Sequence, residues 1–256
     1  MSLARKNNKT VGLEENPMAM HPIYKRILLK LSGEALAGGA SSAFDPMVIG
    51  RIASEIKEVY DAGVDIGIVI GGGNIFRGAT AEGIERAEGD TIGMLATTIN
   101  SLVIREYLAA LSIDARVLSA IDVPKAAEFF TRRAALGHFE KKRVVIMAGG
   151  TGNPYFTTDT AAALRCLEIG ADVFLKATKV DGIYDKDPVV SPDAKRFESI
   201  SHDEALRRNL KIMDATAFSL CRDHGLPIIV FKLLEPGNLR KCIEGSVIGT
   251  TVRKGA

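Results

Sequence analysis

Four loops made mostly of small residues follow predicted strands in this sequence, and two of them carry lysines. They are residues 30–34, 71–74, 149–154 and 176–182. Glycines at a strand end let backbone N–H groups approach an anion closely, and a following helix N-terminus adds a favourable dipole. Any one of these loops alone is most simply a tight turn. Four of them at one edge of a sheet favour a site that binds a polyphosphate.

Three charged residues near these loops are candidates for catalysis: Lys30, Arg77 and Asp159. Lys30 ends an otherwise apolar strand, and Arg77 follows the triple glycine by four residues, so both cations could reach a bound phosphate. Asp159 lies in the first turn of a predicted helix, where a carboxylate is favourable against the dipole even without a catalytic role. Asp214 heads a later helix and is predicted to be an ordinary N-cap.

Several common functional patterns are absent from the sequence. It has neither the Gly-Lys pair of a Walker A loop nor a Gly-x-Gly-x-x-Gly run, and its four histidines have no metal-binding or triad spacing. Thirty-three basic and thirty-one acidic residues give a net charge of +2, too balanced for a protein held to nucleic acid mainly by phosphate neutralisation. Two basic clusters, at 132–133 and 141–143, are most simply solvated surface.

The cysteines and the hydrophobic pattern indicate a cellular compartment. Cys166, Cys221 and Cys242 are odd in number and scattered, which predicts a reducing, cytoplasmic environment without disulfides or a zinc site. No apolar run approaches the ~18 residues of a membrane span, so we expect no membrane association. Residues 1–22 lack periodicity and are predicted to be a flexible N-terminal tail.

Short β-branched runs alternate with amphipathic segments over residues 23–256, which we expect to form a single domain. Strands are predicted at 27–31, 66–70, 116–118, 144–147, 173–175 and 228–231, with 249–253 as an edge strand. Helices are predicted to begin near Asp45, Asp90, Asp122, Thr158, Ser201 and Asp214. The alternation predicts an α/β fold, a three-layer αβα sandwich with a mainly parallel central sheet. Ligands of such sheets bind beyond the carboxyl ends of the strands, where the four loops lie.

Four sequence runs together resemble the bacterial UMP kinases (uridylate kinases), a branch of the amino acid kinase fold family. They are KLSGEAL at 30–36, GGGNIFRG at 71–78, GNPYFTTD at 152–159 and KATKVDG at 176–182. The third run is specific to the UMP kinase branch, whereas the glycine-rich loops alone indicate only the wider family. The resemblance extends from about Tyr24 to Arg253.

The resemblance implies transfer of the γ-phosphoryl group of ATP to UMP in pyrimidine nucleotide biosynthesis, giving UDP and ADP, on a homohexamer. By position, the ATP site corresponds to Lys30, Leu31, Ser32, Gly33, Gly73, Arg77, Thr178, Tyr184 and Asp187. The UMP site corresponds to Gly72, Asp90, Thr151, Gly152, Asn153, Pro154, Tyr155, Phe156, Thr157 and Thr158. The resemblance also implies Mg²⁺ carried with ATP, and GTP and UTP as effectors. Residues 38–45 depart from the Gly-Phe-Gly-Ile segment usual near the GTP site, which leaves the effector response open.

The chemistry of phosphoryl transfer to a phosphate group agrees with the activity that the resemblance implies. Phosphoryl transfer depends mainly on positioning and charge neutralisation. A phosphate monoester, with a second pKa of about 6, is mostly dianionic at neutral pH and needs no general base. A chain without a credible catalytic histidine therefore favours a phosphate acceptor over a hydroxyl. Lys30 and Arg77 would neutralise charge, and Asp159 would orient the phosphate-binding lysines or the hydration shell of Mg²⁺.

Two other functions are alternatives on the same fold. A related kinase could phosphorylate a carboxylate, as N-acetylglutamate kinase does, but the run at 153–159 argues against it. A non-catalytic nucleotide sensor or a molybdate-type storage protein would have no need for Lys30, Arg77 and Asp159 together.

Overall fold

The computed structural model describes residues 20–38, 42–77, 82–188, 190–210 and 212–255. The predicted tail lies outside the described residues up to residue 19, as do residues 39–41 of the segment at 38–45 and Gly78. Met20, near the end of the predicted tail, packs against the hydrophobic core.

One nine-stranded sheet runs through the described part of the chain. Its strands are β1 (Arg26–Leu31), β2 (Asp65–Ile70), β3 (Ala115–Ser119), β4 (Glu128–Phe129), β5 (Val144–Ala148), β6 (Val173–Thr178), β7 (Ser199–Ser201), β8 (Ile228–Lys232) and β9 (Thr250–Arg253). Their order is β4-β3-β5-β2-β1-β6-β8-β9-β7, and β8 pairs with β9 antiparallel while the other neighbours are parallel. The predicted, mainly parallel sheet is confirmed.

Helices cover both faces of this sheet. Within the described residues they are α1 (Gly33–Ala37), α2 (Pro46–Asp61), α3 (Arg86–Ala110), α4 (Arg132–Glu140), α5 (Thr158–Ile169), α6 (His202–Arg207), α7 (Ala215–Asp223) and α8 (Asn238–Ile243). One hydrophobic cluster joins the sheet to α2, α8 and the C-terminal half of α3, and a second joins it to α4, α5, α6 and α7. The predicted three-layer sandwich is therefore confirmed.

Side-chain alternation along β1 decides which layer each of its residues faces. Ile27, Leu29 and Leu31 belong to the cluster that contains α2, whereas Leu28 belongs to the cluster that contains α5. Successive side chains of a strand point to opposite faces. Lys30 therefore lies on the α5 side of the sheet, at the carboxyl end of its strand.

The helix starts that were predicted from capping residues are mostly correct. Asp45, Ser201 and Asp214 each accept a backbone N–H from the first turn of the following helix. Helix α5 begins at Thr158 as predicted, with the side chain of Thr157 as its cap. Helix α3 begins at Arg86, one turn earlier than predicted.

Two predictions about elements are wrong. No helix begins near Asp122, because Thr131 caps α4 by accepting the N–H of Ala134 at 3.1 Å, and the residues before it contribute the short strand β4 instead. The final strand is not an edge strand, since β9 lies between β8 and β7. Strand β7 has only three residues, too few to show a periodic pattern in the sequence.

The middle of α3 exposes two large apolar side chains and buries two polar ones. Leu95 and Ile99 lie on one face of the helix, but they are 44% and 46% exposed. Thr97 and Asn100 are 3% and 0% exposed. Met94 and Ala96 in the same stretch are buried, so the exposed apolar face is limited to residues such as Leu95 and Ile99. None of the helices in the described ranges is both long and apolar enough to cross a membrane.

Candidate functional site

Two lysines reach the same side of the sheet at the ends of β1 and β6. Lys30 lies on the face that carries Leu28, and Lys176 lies on the face that carries Phe174; both apolar residues belong to the cluster that contains α5. Helix α5 packs over this face, and its first turn contains Asp159. The fold therefore directs both ammonium groups towards one carboxylate.

Asp159 forms ion pairs with both lysines. The Nζ atom of Lys30 lies 2.8 Å from Oδ1, and the Nζ atom of Lys176 lies 2.5 Å from Oδ2. Lys176 also donates a hydrogen bond of 2.7 Å to the carbonyl oxygen of Ile212. The three charged side chains are only 12%, 15% and 12% exposed for Lys30, Asp159 and Lys176. We call these three residues the lysine–aspartate cluster.

Burial and charge act against each other in this cluster. Burial alone would raise the pKa of Asp159, but the adjacent ammonium groups of Lys30 and Lys176 outweigh it and hold this pKa below its ordinary value. Burial is the largest influence on Lys176 and holds its pKa below the ordinary value, although the charge of Asp159 opposes this. Two cations share one carboxylate, so a bound anion would be favourable here.

Close contact between two loops depends on Gly33. A Cβ atom at this position would lie 2.5 Å from the carbonyl oxygen of Gly71 and 2.5 Å from Oδ1 of Asn74. The N–H of Gly71 donates to the carbonyl oxygen of Leu31 at 2.9 Å. The side chain of Leu31 is fully buried, so only its backbone can face a ligand. The loops after β1 and β2 therefore form one edge of the site.

Arg77 lies at this same edge. Its guanidinium group forms an ion pair with Glu34 in the first turn of α1, and its Nε donates to the carbonyl oxygen of Gly73 at 3.4 Å. Lys179, which follows β6, lies 3.1 Å from the other carboxylate oxygen of Glu34. The carboxylate of Glu34 thus joins Arg77, just after the triple-glycine loop, to Lys179 in the loop after β6.

A small cavity of about 130 Å³ separates the glycine loops from α3. Six of the residues expected at a UMP site line it: Gly72, Asp90, Thr151, Asn153, Phe156 and Thr158. Gly152, Pro154, Tyr155 and Thr157 belong to the same loop but do not appear among the described lining residues.

Asp90 fixes one side of this small cavity. Its Oδ2 atom accepts the backbone N–H of Tyr155 at 2.8 Å and the Nε–H of Arg86 at 2.8 Å. Asp90 thereby joins the start of α3 to the loop after β5. The carboxylate is 16% exposed, so part of it remains accessible from the cavity.

A larger cavity of about 520 Å³ lies beyond the end of β6. Thr178, Tyr184 and Asp187, all expected at an ATP site, line it together with Ile212. Ile212 is also the acceptor for Lys176, whereas Thr158, next to Asp159, lines the small cavity. Each cavity is therefore linked to the lysine–aspartate cluster through one neighbouring residue, Ile212 for the larger cavity and Thr158 for the small one.

Asp214 has more contacts than an ordinary N-cap. It caps α7 by accepting the N–H of Ala217 at 3.0 Å, as predicted. It also accepts hydrogen bonds from the hydroxyl groups of Thr157 and Thr160, the latter at 2.8 Å. Asp214 therefore joins the start of α7 to the start of α5, where Asp159 lies.

Lys176 and Glu34 lie in the loops predicted to bind phosphate, but no role was predicted for either residue, and Asp214 was predicted only to cap a helix. A signal for Lys176 was present, because it is a lysine in an otherwise apolar strand, as Lys30 is. No local pattern distinguishes Glu34, whose contacts depend on the packing of three loops.

Comparison with known proteins identifies the family of this chain. The model of the amino acid kinase family matches residues 25–232. The UMP kinase of Bacillus anthracis is 40% identical, with a TM-score of 0.89 over 92% of this chain and 98% of that chain. The UMP kinase of Ureaplasma parvum is 37% identical, with a TM-score of 0.86 over 90% and 99%. The uridylate kinase of Archaeoglobus fulgidus is 26% identical, with a TM-score of 0.66 over 88% and 99%. Family match and structural similarity together show that the chain belongs to the amino acid kinase family.

Proposed function

We propose that this protein is a UMP kinase, which transfers the γ-phosphoryl group of ATP to UMP and releases UDP and ADP. The observation that carries the proposal is the lysine–aspartate cluster, which is linked to the small cavity through Thr158 and to the larger cavity through Ile212. Two solved structures at 37–40% identity that match nearly the whole chain are UMP kinases, which supports the same conclusion. They do not favour a carboxylate kinase or a non-catalytic sensor.

The two cavities receive the two nucleotides. ATP occupies the larger cavity near Thr178, Tyr184 and Asp187, with its phosphates directed towards Lys30 and the loops that contain Ser32, Gly33 and Gly73. UMP occupies the small cavity beside Gly72 and the loop at 151–158. The γ-phosphoryl group then lies at the cluster, between donor and acceptor.

The residues of the cluster stabilise charge rather than move protons. A UMP phosphate is already mostly dianionic at neutral pH, so its oxygen attacks without a general base. Lys30 and Lys176 neutralise the charge on the transferred group, with Arg77 near the donor phosphates. Asp159 holds the two lysines in place. Because both of its carboxylate oxygens face ammonium groups, it positions cations and does not abstract a proton.

Magnesium accompanies the nucleotide in this proposal. No group of three His, Cys, Asp or Glu side chains within the described ranges is arranged to hold a metal ion. In this proposal Mg²⁺ is therefore bound mainly by phosphate oxygens and water, as is common for this ion. Bound in that way, Mg²⁺ supplies neutralisation of the β- and γ-phosphate oxygens.

A substrate comparison tests the function. ADP release is measured with ATP and Mg²⁺ in the presence of UMP, CMP, acetylglutamate or aspartate. We expect turnover with UMP. Turnover of an amino acid in place of UMP would contradict the proposal, and tight nucleotide binding without any product would support the sensor alternative.

Assembly into a homohexamer is part of the proposal. The exposed apolar residues Leu95 and Ile99 on α3 support a subunit interface, because burial against another copy would remove them from water. Light scattering should give the mass of six chains, and Ile99→Glu should give smaller species. A monomeric wild-type chain would contradict this assembly.

Regulation and location complete the proposal. GTP and UTP act as effectors, which the same kinetic assay tests by adding each nucleotide at fixed ATP and UMP. A cytoplasmic location agrees with the three cysteines, which are buried and unpaired.

A further inference from the structure

Two polar residues on the buried side of α3 each contact a different glycine loop. The Oγ1 atom of Thr97 accepts the backbone N–H of Gly149 at 2.9 Å and donates to the carbonyl oxygen of Met94 at 2.7 Å. The Nδ2 atom of Asn100 donates to the carbonyl oxygen of Gly71 at 2.6 Å. Because the two residues are three positions apart, they lie on the same face of the helix.

Asn100 also forms a reciprocal amide pair with Asn74. Its Nδ2 lies 2.7 Å from Oδ1 of Asn74, and the Nδ2 of Asn74 lies 3.1 Å from Oδ1 of Asn100. Asn74 donates further to the carbonyl oxygen of Ala43 at 2.8 Å. Since Asn100 is fully buried, these contacts take the place of water, and losing one leaves a buried polar group unsatisfied.

The contacts of Thr97 and Asn100 attach both loops, which follow the paired strands β2 and β5, to a single helix. The loop after β2 supplies Gly72 to the small cavity, and the loop after β5 supplies Gly150 and Thr151. Helix α3 is a rigid element that rises about 1.5 Å per residue. The bonds of Thr97 to Gly149 and of Asn100 to Gly71 therefore hold both loops against the same face of α3.

We propose that Thr97 and Asn100 are positioning residues for the phosphoryl transfer, which hold the glycine loops on both sides of the acceptor at a fixed spacing. This inference rests on the proposed function. It deepens that function by assigning a role to the buried polar side of α3. Thr97 also lines the small cavity, but its hydroxyl is engaged by the N–H of Gly149 and the carbonyl oxygen of Met94. Both residues therefore act through the backbone of the loops, and neither is a catalytic group.

Two neighbouring residues provide matched controls. Thr98 is 4% exposed, and its hydroxyl lies 3.3 Å from the carbonyl oxygen of Met94 within α3. Ser101 is fully buried and donates to the carbonyl oxygen of Thr97 at 2.8 Å, also within α3. Both residues are about as buried as Thr97, but the bonds of their hydroxyl groups stay within α3 and do not reach a loop.

The test compares Thr97→Val and Asn100→Leu with Thr98→Val and Ser101→Ala in the full chain. We expect the first two to lower kcat by about tenfold to a hundredfold while KM for ATP and UMP changes by less than about threefold, because misplacement of bound reactants slows the chemical step. The two controls should stay within about twofold of wild type. Thr97→Ser keeps the hydroxyl and should restore most of the rate.

Hydrogen exchange provides a second measurement that needs no substrate. Exchange of the peptide that contains Gly149 should be faster in Thr97→Val than in Thr98→Val. Equal kcat values for these two variants, in an active wild-type background, would overturn the inference and leave the proposed function intact. If the wild-type chain does not turn over UMP, the proposed function fails. The role in phosphoryl transfer then fails with it, and exchange reports only on the contact: a faster rate in Thr97→Val shows that Thr97 holds the loop after β5, and an unchanged rate shows that it does not.

Discussion

Lys30 and Lys176 are direct partners in the register of the parallel strands β1 and β6. Two buried ammonium groups at paired positions repel each other. The carboxylate of Asp159 lies between them and stabilises both charges. The three residues therefore act as a unit, and a change in one alters the charge state or position of the others.

Replacing Lys176 tests whether its charge takes part in the reaction. We expect Lys176→Met to lower kcat by about 10²–10³-fold, because the variant loses a cation that stabilises the transferred phosphoryl group. Lys57→Met is a suitable control, since Lys57 pairs with Asp61 on the surface of α2. Steady-state kinetics at saturating ATP and UMP provide the measurement. A kcat for Lys176→Met equal to that of the control would contradict the role of this lysine.

The pH dependence of activity should depend on Asp159. Burial lowers the pKa of Lys176, and the charge of Asp159 raises it again. In Asp159→Asn the opposing charge is gone, so the pKa of Lys176 falls further and the lysine loses its proton at a lower pH. We therefore expect the alkaline limb of the kcat/KM profile to move to lower pH, measured from about pH 6 to about pH 10. An alkaline limb at the same pH in wild type and variant would contradict this coupling.

Stability against acid should depend on the same carboxylate. The pKa of Asp159 is lower in the folded chain than its ordinary value. Its contribution to the free energy of unfolding is therefore fully present above the pKa of the unfolded chain. The contribution is lost as the pH falls through the folded value. We expect Asp159→Asn to destabilise the chain by about 3–5 kcal/mol at neutral pH, because two buried ammonium groups lose their partner. In urea unfolding, the difference in unfolding free energy between wild type and Asp159→Asn should narrow below about pH 4. A difference that does not depend on pH would contradict the role of the Asp159 carboxylate in stability.

Features that depend on local sequence could be predicted. The capping bonds of Asp45, Ser201 and Asp214 involve residues within one turn, so their short-range patterns were sufficient. The prediction of a helix start near Asp122 was wrong because Thr131, a capping residue further along the chain, caps α4 instead. Local patterns do not decide between two such candidates when the intervening residues pair with a strand.

Features that depend on strand order or on burial could not be predicted. Lys176 can lie near Lys30 and Asp159 only because β6 is next to β1 in the sheet. This pairing joins residues that are far apart in the sequence, so local patterns do not predict it. The spacing of Leu95 and Ile99 correctly placed them on one face of α3. It could not indicate that this face is exposed while Asn100 is buried, because the loops behind the helix supply polar partners.

The position of Gly72 tests how closely the glycine loop must approach α3. A Cβ atom there would lie 2.8 Å from the carbonyl oxygen of Gly93 and 2.9 Å from the Cβ of Ala96. Because the backbone of α3 cannot yield easily, Gly72→Ala should displace the loop and lower kcat/KM for UMP by about 10²-fold. Gly50→Ala is the matched control, since a Cβ at Gly50 in α2 meets no atom within 4 Å. The control should raise the unfolding free energy by about 0.5–1 kcal/mol and leave kcat/KM unchanged. If Gly72→Ala had the kcat/KM of wild type, the prediction would be wrong. Close packing of the glycine loop against α3 would then not be needed for phosphoryl transfer.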